Sequence, residues 1–257
     1  MKYIITGHMG LIGAPLKKRL DSLGFECVEA VDIRHENSQK VDSMIDWKIK
    51  ADVVFHLADN CKINECIRNP KLSFENIRNI QAVLEMCRLN DIKKIVYFSS
   101  SRILSKEKNP YTAGKIYGEE LVKTYSKCYG IDYIIIRPST VYGGRDETSR
   151  VFSIWITQAK LGRDLEIFGD LNKTLSFTYI DDFIDGVIKS LEKWNGEYNI
   201  AGEEVCVVEM AAEIIKQMKS DSSIVFRPAE IQQPQRVNLK SDFPCNTTYK
   251  EGIRKCL

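Results

Sequence analysis

Apolar residues follow two periods along this chain, and the two alternate. Short runs rich in Ile, Val and aromatic residues lie at Lys2–Thr6, Cys27–Val31, Asp52–Ala58, Ile92–Phe98 and Ile131–Arg137. Runs of this length and composition suit strands buried on both faces of a parallel sheet. Between them, apolar residues recur every three or four positions, the spacing of a helix with one buried stripe. One such stretch holds Leu11, Ile12, Leu16, Leu20 and Leu23 and stops at Gly24. A second covers 72–89, with Leu72, Ile77, Ile80, Leu84 and Cys87 on one side. A third starts at Asn109-Pro110, a capping side chain followed by proline in the first turn, and ends at Tyr129-Gly130. Strands and helices in alternation predict an α/β protein with a doubly wound parallel sheet.

Past Gly144 the pattern changes. Val151–Lys160 reads as a helix burying Phe152, Trp155 and Ile156, Leu165–Phe168 as a short strand, and Gly169–Asn172 as a turn. Asp182–Lys193 and Val207–Met218 read as further amphipathic helices, and Glu230–Phe243 as a polar loop. The expected layout is a nucleotide-binding domain over 1–144, with 176–194 returning to it. Residues 145–175 and 195–257 would form a small C-terminal α/β lobe across the carboxyl ends of the strands, where ligands bind in such sheets.

Two stretches carry candidate chemistry. The first strand leads into Thr6-Gly7-His8-Met9-Gly10-Leu11-Ile12-Gly13 and then a helix. Glycines let the backbone approach a pyrophosphate, and the helix start offers unpaired N–H groups. Asp32 ends the second strand, 19 residues beyond Gly13, close to the ~20 expected for a carboxylate that bonds the adenosine ribose. A carboxylate there favours NAD over NADP, while the nearby Arg34 could accept a 2′-phosphate. The second stretch runs from Phe98 to Lys115. Tyr111 and Lys115, four apart at the start of a helix, share one face, and Ser101 ends the serine run after a strand. An ammonium beside a phenol favours the phenolate, which equips the trio to move a proton on or off an alcohol.

Composition narrows the partners. The 257 residues hold 37 Lys+Arg against 35 Asp+Glu, so a net charge of +2 gives no electrostatic case for nucleic acid or an anionic membrane. No apolar run approaches the ~20 residues that span a bilayer, and the chain opens on a strand without a signal-peptide layout. The eight cysteines form no Cys-x-x-Cys and read as reduced, mostly buried thiols of a cytoplasmic protein, with no metal site. Three histidines (His8, His35, His56) give a His-based triad little to draw on, and His56 reads as a core or near-cofactor residue.

Taken in order, the motifs resemble the extended short-chain dehydrogenase/reductases, in the NAD-dependent epimerase/dehydratase branch. Thr6-Gly7-x-x-Gly10-x-x-Gly13 resembles the cofactor turn, and Asp52-Val-Val-Phe-His-Leu-Ala58 a strand of that family. Ile136-Arg-Pro-Ser-Thr-Val-Tyr-Gly143, Phe177-Thr-Tyr-Ile-Asp-Asp182, Glu197-Tyr-Asn-Ile-Ala-Gly202 and Arg227-Pro-Ala-Glu230 resemble later signatures. The resemblance implies a Rossmann-type sheet, a small substrate lobe, a homodimer formed through the helices at 72–89 and 111–129, and NAD as cofactor. It assigns the cofactor to Gly7, Met9, Gly10, Leu11, Ile12, Gly13, Asp32, Ile33, Arg34, Asp42, Leu57, Ala58, Ser99, Tyr111, Lys115 and Pro138. It implies catalysis by Ser101, Tyr111 and Lys115, and a nucleotide-sugar substrate held by Ser100, Ser101, Thr140, Arg150 and Arg227.

The departures from the family pattern are equally informative. Arg102-Ile-Leu-Ser105 replaces the Val-Tyr-Gly signature, and the loop to the tyrosine is short. Where sugar dehydratases carry Thr-Asp-Glu, this chain has Ser101-Arg102-Ile103, so the acids for eliminating water are missing. Thr140 stands where many relatives have asparagine, and Leu175 where many have arginine. The reading is a 4-epimerase-like enzyme that transiently oxidises a sugar hydroxyl. A keto-sugar or other carbonyl reductase, and a catalytically silent NAD-binding protein, remain as alternatives.

Overall fold

The computed structural model describes residues 1–34, 40–144, 150–229 and 239–257. The expected strands and helices are present with small boundary shifts. They run β1 (Lys2–Thr6), α1 (Gly13–Ser22), β2 (Glu26–Val31), β3 (Val53–His56), α2 (Ile63–Arg68), α3 (Lys71–Leu89), β4 (Lys94–Phe98), α4 (Pro110–Tyr129) and β5 (Asp132–Pro138). Then come β6 (Thr140–Tyr142), α5 (Val151–Lys160), β7 (Leu165–Phe168), β8 (Thr174–Tyr179), α6 (Ile180–Ser190), β9 (Gly196–Ile200), β10 (Glu203–Cys206), α7 (Val207–Met218), β11 (Ile224–Arg227) and α8 (Tyr249–Cys256). The main sheet has six strands, all paired in parallel, in the order β2-β1-β3-β4-β5-β9. The chain reverses direction across the sheet between β1 and β3, and ligand crevices form outside the carboxyl ends of strands at such a point.

Side-chain alternation explains why the strand runs are apolar throughout. Tyr3 and Ile5 face a cluster containing Leu16 and Leu20 of α1 and Phe183, Ile184 and Val187 of α6. Ile4, between them, faces the opposite cluster with Ile80, Val83 and Leu84 of α3 and Val122 of α4. Each such side chain contributes on the order of 1.5–3 kcal/mol of burial, so a one-residue slip of register would forfeit both faces at once.

The expected lobe boundaries need correction. Residues 195–200 do not belong to the lobe: β9 is the last strand of the main sheet, paired to β5 from Ile134↔Gly196 to Pro138↔Ile200. Conversely, β8 lies in a separate three-stranded sheet ordered β10-β8-β6, and a two-stranded sheet joins β11 to β7. Strand pairing across 62 residues drew β9 into the large sheet, and local pattern is blind to pairing at that range. The tail is tied down rather than loose. Asn199 donates its N–H to Asp242 (2.7 Å), Asp242 returns a main-chain bond to Asn199 (2.9 Å), and Thr247 donates to Asp182 (2.7 Å). Helix α8, capped by Thr248, was not anticipated; most of the expected loop 230–243, including Glu230 of the Arg-Pro-Ala-Glu motif, lies outside the described residues, as does His35.

The cysteines are all free thiols, as expected, but only Cys66 and Cys87 are fully buried, while Cys61 and Cys128 are exposed. Among the described residues, no helix is long and apolar enough to cross a membrane, and no group of His, Cys, Asp and Glu could hold a metal ion.

Candidate active site

The glycine turn after β1 is built by contacts that leave no room for side chains. Gly7 adopts φ +76°, donates to Val31 O (2.7 Å), and would place a Cβ 2.9 Å from the Ala58 nitrogen. Gly13 opens α1 so close to the turn that a Cβ would sit 2.0 Å from Gly7 O. Main chain cannot yield as a flexible side chain can. Gly13→Ala is therefore expected to cost at least the ~1–3 kcal/mol of an overpacked site and to abolish dinucleotide binding, read by thermal melting and by fluorescence titration with NADH.

Beside this turn lies a crevice of about 460 Å³ lined by residues including His8, Met9, Gly10, Leu11, Arg34, Gly144 and Tyr179. Helix α1 begins at its wall with no side-chain cap and no acidic residue in its first turn, so the positive end of its dipole faces the crevice, although Ala14 N already donates to Gly10 O (3.1 Å) and Pro15 has no N–H to offer. Asp32, nearly buried, accepts from Met9 N (2.9 Å), Arg34 N (3.1 Å), and the Arg34 Nε and Nη2 (2.8 Å each). Burial pushes the Asp32 carboxyl up, but the Arg34 hydrogen bonds outweigh it and hold the group below the usual carboxylate range. Arg34 is thus engaged by Asp32 itself. Ile33 stands 85% exposed at the rim. Leu57 and Ala58 present N–H groups to Thr6 Oγ1 at 3.2 and 3.1 Å. Asp42 pairs with Arg78 of α3 at 2.7 Å. A dinucleotide suits this crevice: Gly7 to Gly13 would hold its pyrophosphate and Asp32 its adenosine ribose.

The second cluster forms where β4 ends and α4 begins. Asn109 and Thr112 close a reciprocal cap, with Thr112 N donating to Asn109 Oδ1 (3.0 Å) and Asn109 N to Thr112 Oγ1 (2.9 Å). This cap fixes Tyr111 in the first turn and Lys115 one turn on, both buried. Lys115 Nζ donates to Phe98 O (2.5 Å) and to the Asp59 carboxylate, and lies 4.9 Å from the Tyr97 ring centroid and 6.0 Å from that of Tyr111. Asp59 and Lys115 are 5% and 4% exposed. Burial pulls the ammonium down, but Asp59, Tyr97 and Tyr111 together hold it above the usual lysine range.

The expectation that Lys115 makes Tyr111 acidic is corrected here. Lys115 does pull the phenol down, as does a hydrogen bond with Ser100, yet burial, aided by Cys61 and Asp59, pushes it above the usual tyrosine value. The serine interacting with Tyr111 is Ser100. Ser101, also buried, opens a 3-10 turn over Ser101–Leu104 and lines a small cleft with Arg102, Ser139, Thr140, Leu175, Ser176 and Leu239. Ser99 is buried with no partner for its hydroxyl, and Pro138 ends β5. His56 bonds Thr6 Oγ1 (2.8 Å) and stacks near Tyr97; burial pushes its pKa down to about 3, so it stays neutral.

The two outlying arginines behave differently. Arg150 precedes α5 and reaches Cys61 Sγ at 3.4 Å, which brings it toward the Tyr111 side of the cleft. Arg227 is half-exposed on β11, paired with Glu166 (2.8 Å), so a diphosphate would have to displace that carboxylate. Sequence reading missed Asp59 and gave Arg102 no role in the site. The only local signal for Asp59 was a charged residue directly following a strand run at the carboxyl edge of a parallel sheet.

A parallel sheet with a glycine cradle at its reversal point and a buried Ser-Tyr-Lys cluster beside it defines a dinucleotide-binding protein of the short-chain dehydrogenase/reductase type. The sequence matches the NAD dependent epimerase/dehydratase family over residues 3–201, and the chain belongs to that family. A Methanocaldococcus jannaschii protein, provisionally a UDP-glucose 4-epimerase, is 30% identical over an alignment spanning 80% of this chain and 79% of the relative. The UDP-glucose 4-epimerase of Mycolicibacterium smegmatis is 25% identical, over 93% of this chain and 90% of its own. In fold, the chain superposes on the Thermotoga maritima UDP-glucose 4-epimerase solved with UDP-glucose. The TM-score is 0.92 at 20% identity, covering 100% of this chain and 97% of that one.

Proposed function

We propose that the protein is a nucleotide-sugar 4-epimerase in which Tyr111 exchanges a proton with a sugar hydroxyl. The observation that carries this reading is the buried arrangement of Tyr111 and Lys115 on one face of α4, locked by the Asn109 cap against the end of β4. Ser100, hydrogen-bonded with Tyr111, and Ser101 in the adjoining cleft position the same substrate oxygen. NAD, when bound, supplies a hydride acceptor and donor whose positively charged ring adds to the pull of Lys115 on the phenol. Lys115 retains donor capacity beyond Asp59 and Phe98 O, since an ammonium has three N–H groups, and that capacity is available to a ribose hydroxyl. The missing dehydratase acids at Arg102 and Ile103 favour returning the hydride over eliminating water.

The test is incubation with UDP-glucose and UDP-glucuronate, followed by NMR of the anomeric protons. Conversion to the 4-epimers without added cofactor, with NAD carried through purification, is the expected outcome. Stoichiometric consumption of NADH or NADPH by a keto-sugar would identify a reductase instead. NAD binding without turnover of any nucleotide sugar would leave only a silent binding protein.

The same reading includes a homodimer. Phe74 of α3 is 65% exposed, and Ile116 and Tyr117 of α4 are 38% and 39% exposed, on helices that pack against each other. Light scattering should give twice the 29.4 kDa chain mass, and Phe74→Asp is expected to shift it toward one chain. Eight free thiols fit a reducing cytoplasm.

A further inference from the structure

Lys115 is not a bare cation beside Tyr111. Two neighbouring strands of the main sheet deliver the groups that hold it. Phe98, the last residue of β4, accepts from Nζ through its carbonyl (2.5 Å), and Asp59, three residues past the end of β3, accepts through its carboxylate. Strands β3 and β4 pair side by side from Val54↔Ile95 to His56↔Tyr97, so the two acceptors close on Nζ from adjacent strand ends. Both members of the ion pair are sealed, Asp59 at 5% and Lys115 at 4% exposure. Solvent does little to screen such a pair, and each charge is answered by the other. Nζ lies 6.0 Å from the centroid of the Tyr111 ring. At that distance an unpaired ammonium would favour the phenolate by about two pH units at an effective dielectric constant of about 20. A carboxylate in contact with the same nitrogen opposes that pull with a charge of equal size.

The charged and titratable groups that act on Tyr111 come from several elements. Lys115 belongs to its own helix, Asp59 and Cys61 to the segment after β3, and Tyr97 and Arg102 to β4 and the turn beyond it. His56 is neutral and brings no charge. Among the described residues, Asp59 is the carboxylate in contact with Lys115. We infer that Asp59 is a positioning residue for the proposed proton transfer: it fixes the Lys115 ammonium at the end of β4 and cancels the charge that this lysine would otherwise bring to Tyr111. The proton carrier is thereby set to rest as a phenol at neutral pH. The upward displacement of that phenol by burial, Cys61 and Asp59, against the pull of Lys115, runs in the same direction. The inference rests on the epimerase reading for the use made of Tyr111, and on the contact alone for the pairing.

The test is a pH titration by NMR of the full chain, labelled with carbon-13 at the tyrosine ζ carbons. The chain is loaded with NADH, whose nicotinamide ring carries no charge, and Tyr111→Phe identifies the resonance. In the wild type the Tyr111 signal should remain that of a phenol up to about pH 10, the usual tyrosine value. In Asp59→Asn it should ionise at least about one pH unit lower than in the wild type, and Asp59→Glu should return it toward the wild-type position. The rise of kcat/KM with pH should move down in Asp59→Asn by the same amount. A purely structural role for Asp59 would lower Tm and leave the Tyr111 titration where it was, which overturns the inference, as does a shift upward. Should Asp59→Asn fail to fold, the wild type decides: ionisation of Tyr111 below about pH 10 would reveal an uncancelled lysine and overturn the inference, and a phenol retained to that pH upholds it. A titration displaced as expected, in a protein whose Tyr111→Phe variant still epimerises, would keep the pairing and overturn the proposed reaction. An undisplaced titration with Tyr111→Phe inactive would overturn the inference alone.

Discussion

Tyr111→Phe is expected to lower kcat by at least about a thousandfold while leaving NAD bound. On the proposed reading, removing one hydroxyl takes away the group that exchanges the substrate proton, and general acid–base catalysis contributes about 10²–10⁴-fold. The ring itself, buried beside Lys115, stays in place, so the fold and the cofactor crevice are preserved. Single-turnover epimerisation and retained bound NAD after gel filtration are the measurements. A phenylalanine variant that keeps a tenth of wild-type turnover would rule out the tyrosine as proton carrier. The wild-type enzyme should also show activity rising with pH through the neutral range. The phenol is pushed above its usual value by burial, Cys61 and Asp59, so the base form gains population as pH climbs.

Asp59→Ala should destabilise the protein more than any other single charge removal near the site. It strips the carboxylate from a pair whose members are 5% and 4% exposed, and leaves the Lys115 ammonium in apolar surroundings between Tyr97 and Tyr111. Breaking a buried pair on one side costs about 3–5 kcal/mol, a Tm fall of roughly 10 °C for a chain of this size. The double variant Asp59→Ala/Lys115→Met removes both charges and should recover most of that loss, because the penalty belongs to the orphaned ion and not to the pair. A single-variant loss below about 1 kcal/mol, as for an exposed ion pair, would mean that water reaches Lys115.

Local chemistry made much of the site legible in advance. Asn109-Pro110 announced a helix start, and with it the shared face of Tyr111 and Lys115, because capping and the four-residue spacing are properties of adjacent residues. Gly7, Gly10 and Gly13 between an apolar run and a periodic one announced the cradle, since a turn that tight excludes Cβ atoms. Asp32 followed from the fixed length of one strand–helix–strand unit. The misses share one cause. Asp59 meets Lys115 across 56 residues, Arg227 finds Glu166 across 61, and β9 joins β5 by strand pairing. None of these depends on neighbours in sequence.

Sequence alone determined the alternation of elements, the glycine turn, and which residue types stand in the Ser-Tyr-Lys cluster, because hydrophobic period, capping and glycine sterics act over a few residues. Only the tertiary structure decided the electrostatics of that cluster. Packing β3 beside β4 set Asp59 against Lys115, and burial turned the Tyr111 phenol upward instead of downward. Charge–charge and desolvation energies depend on distance and burial in three dimensions, which spacing along the chain does not encode.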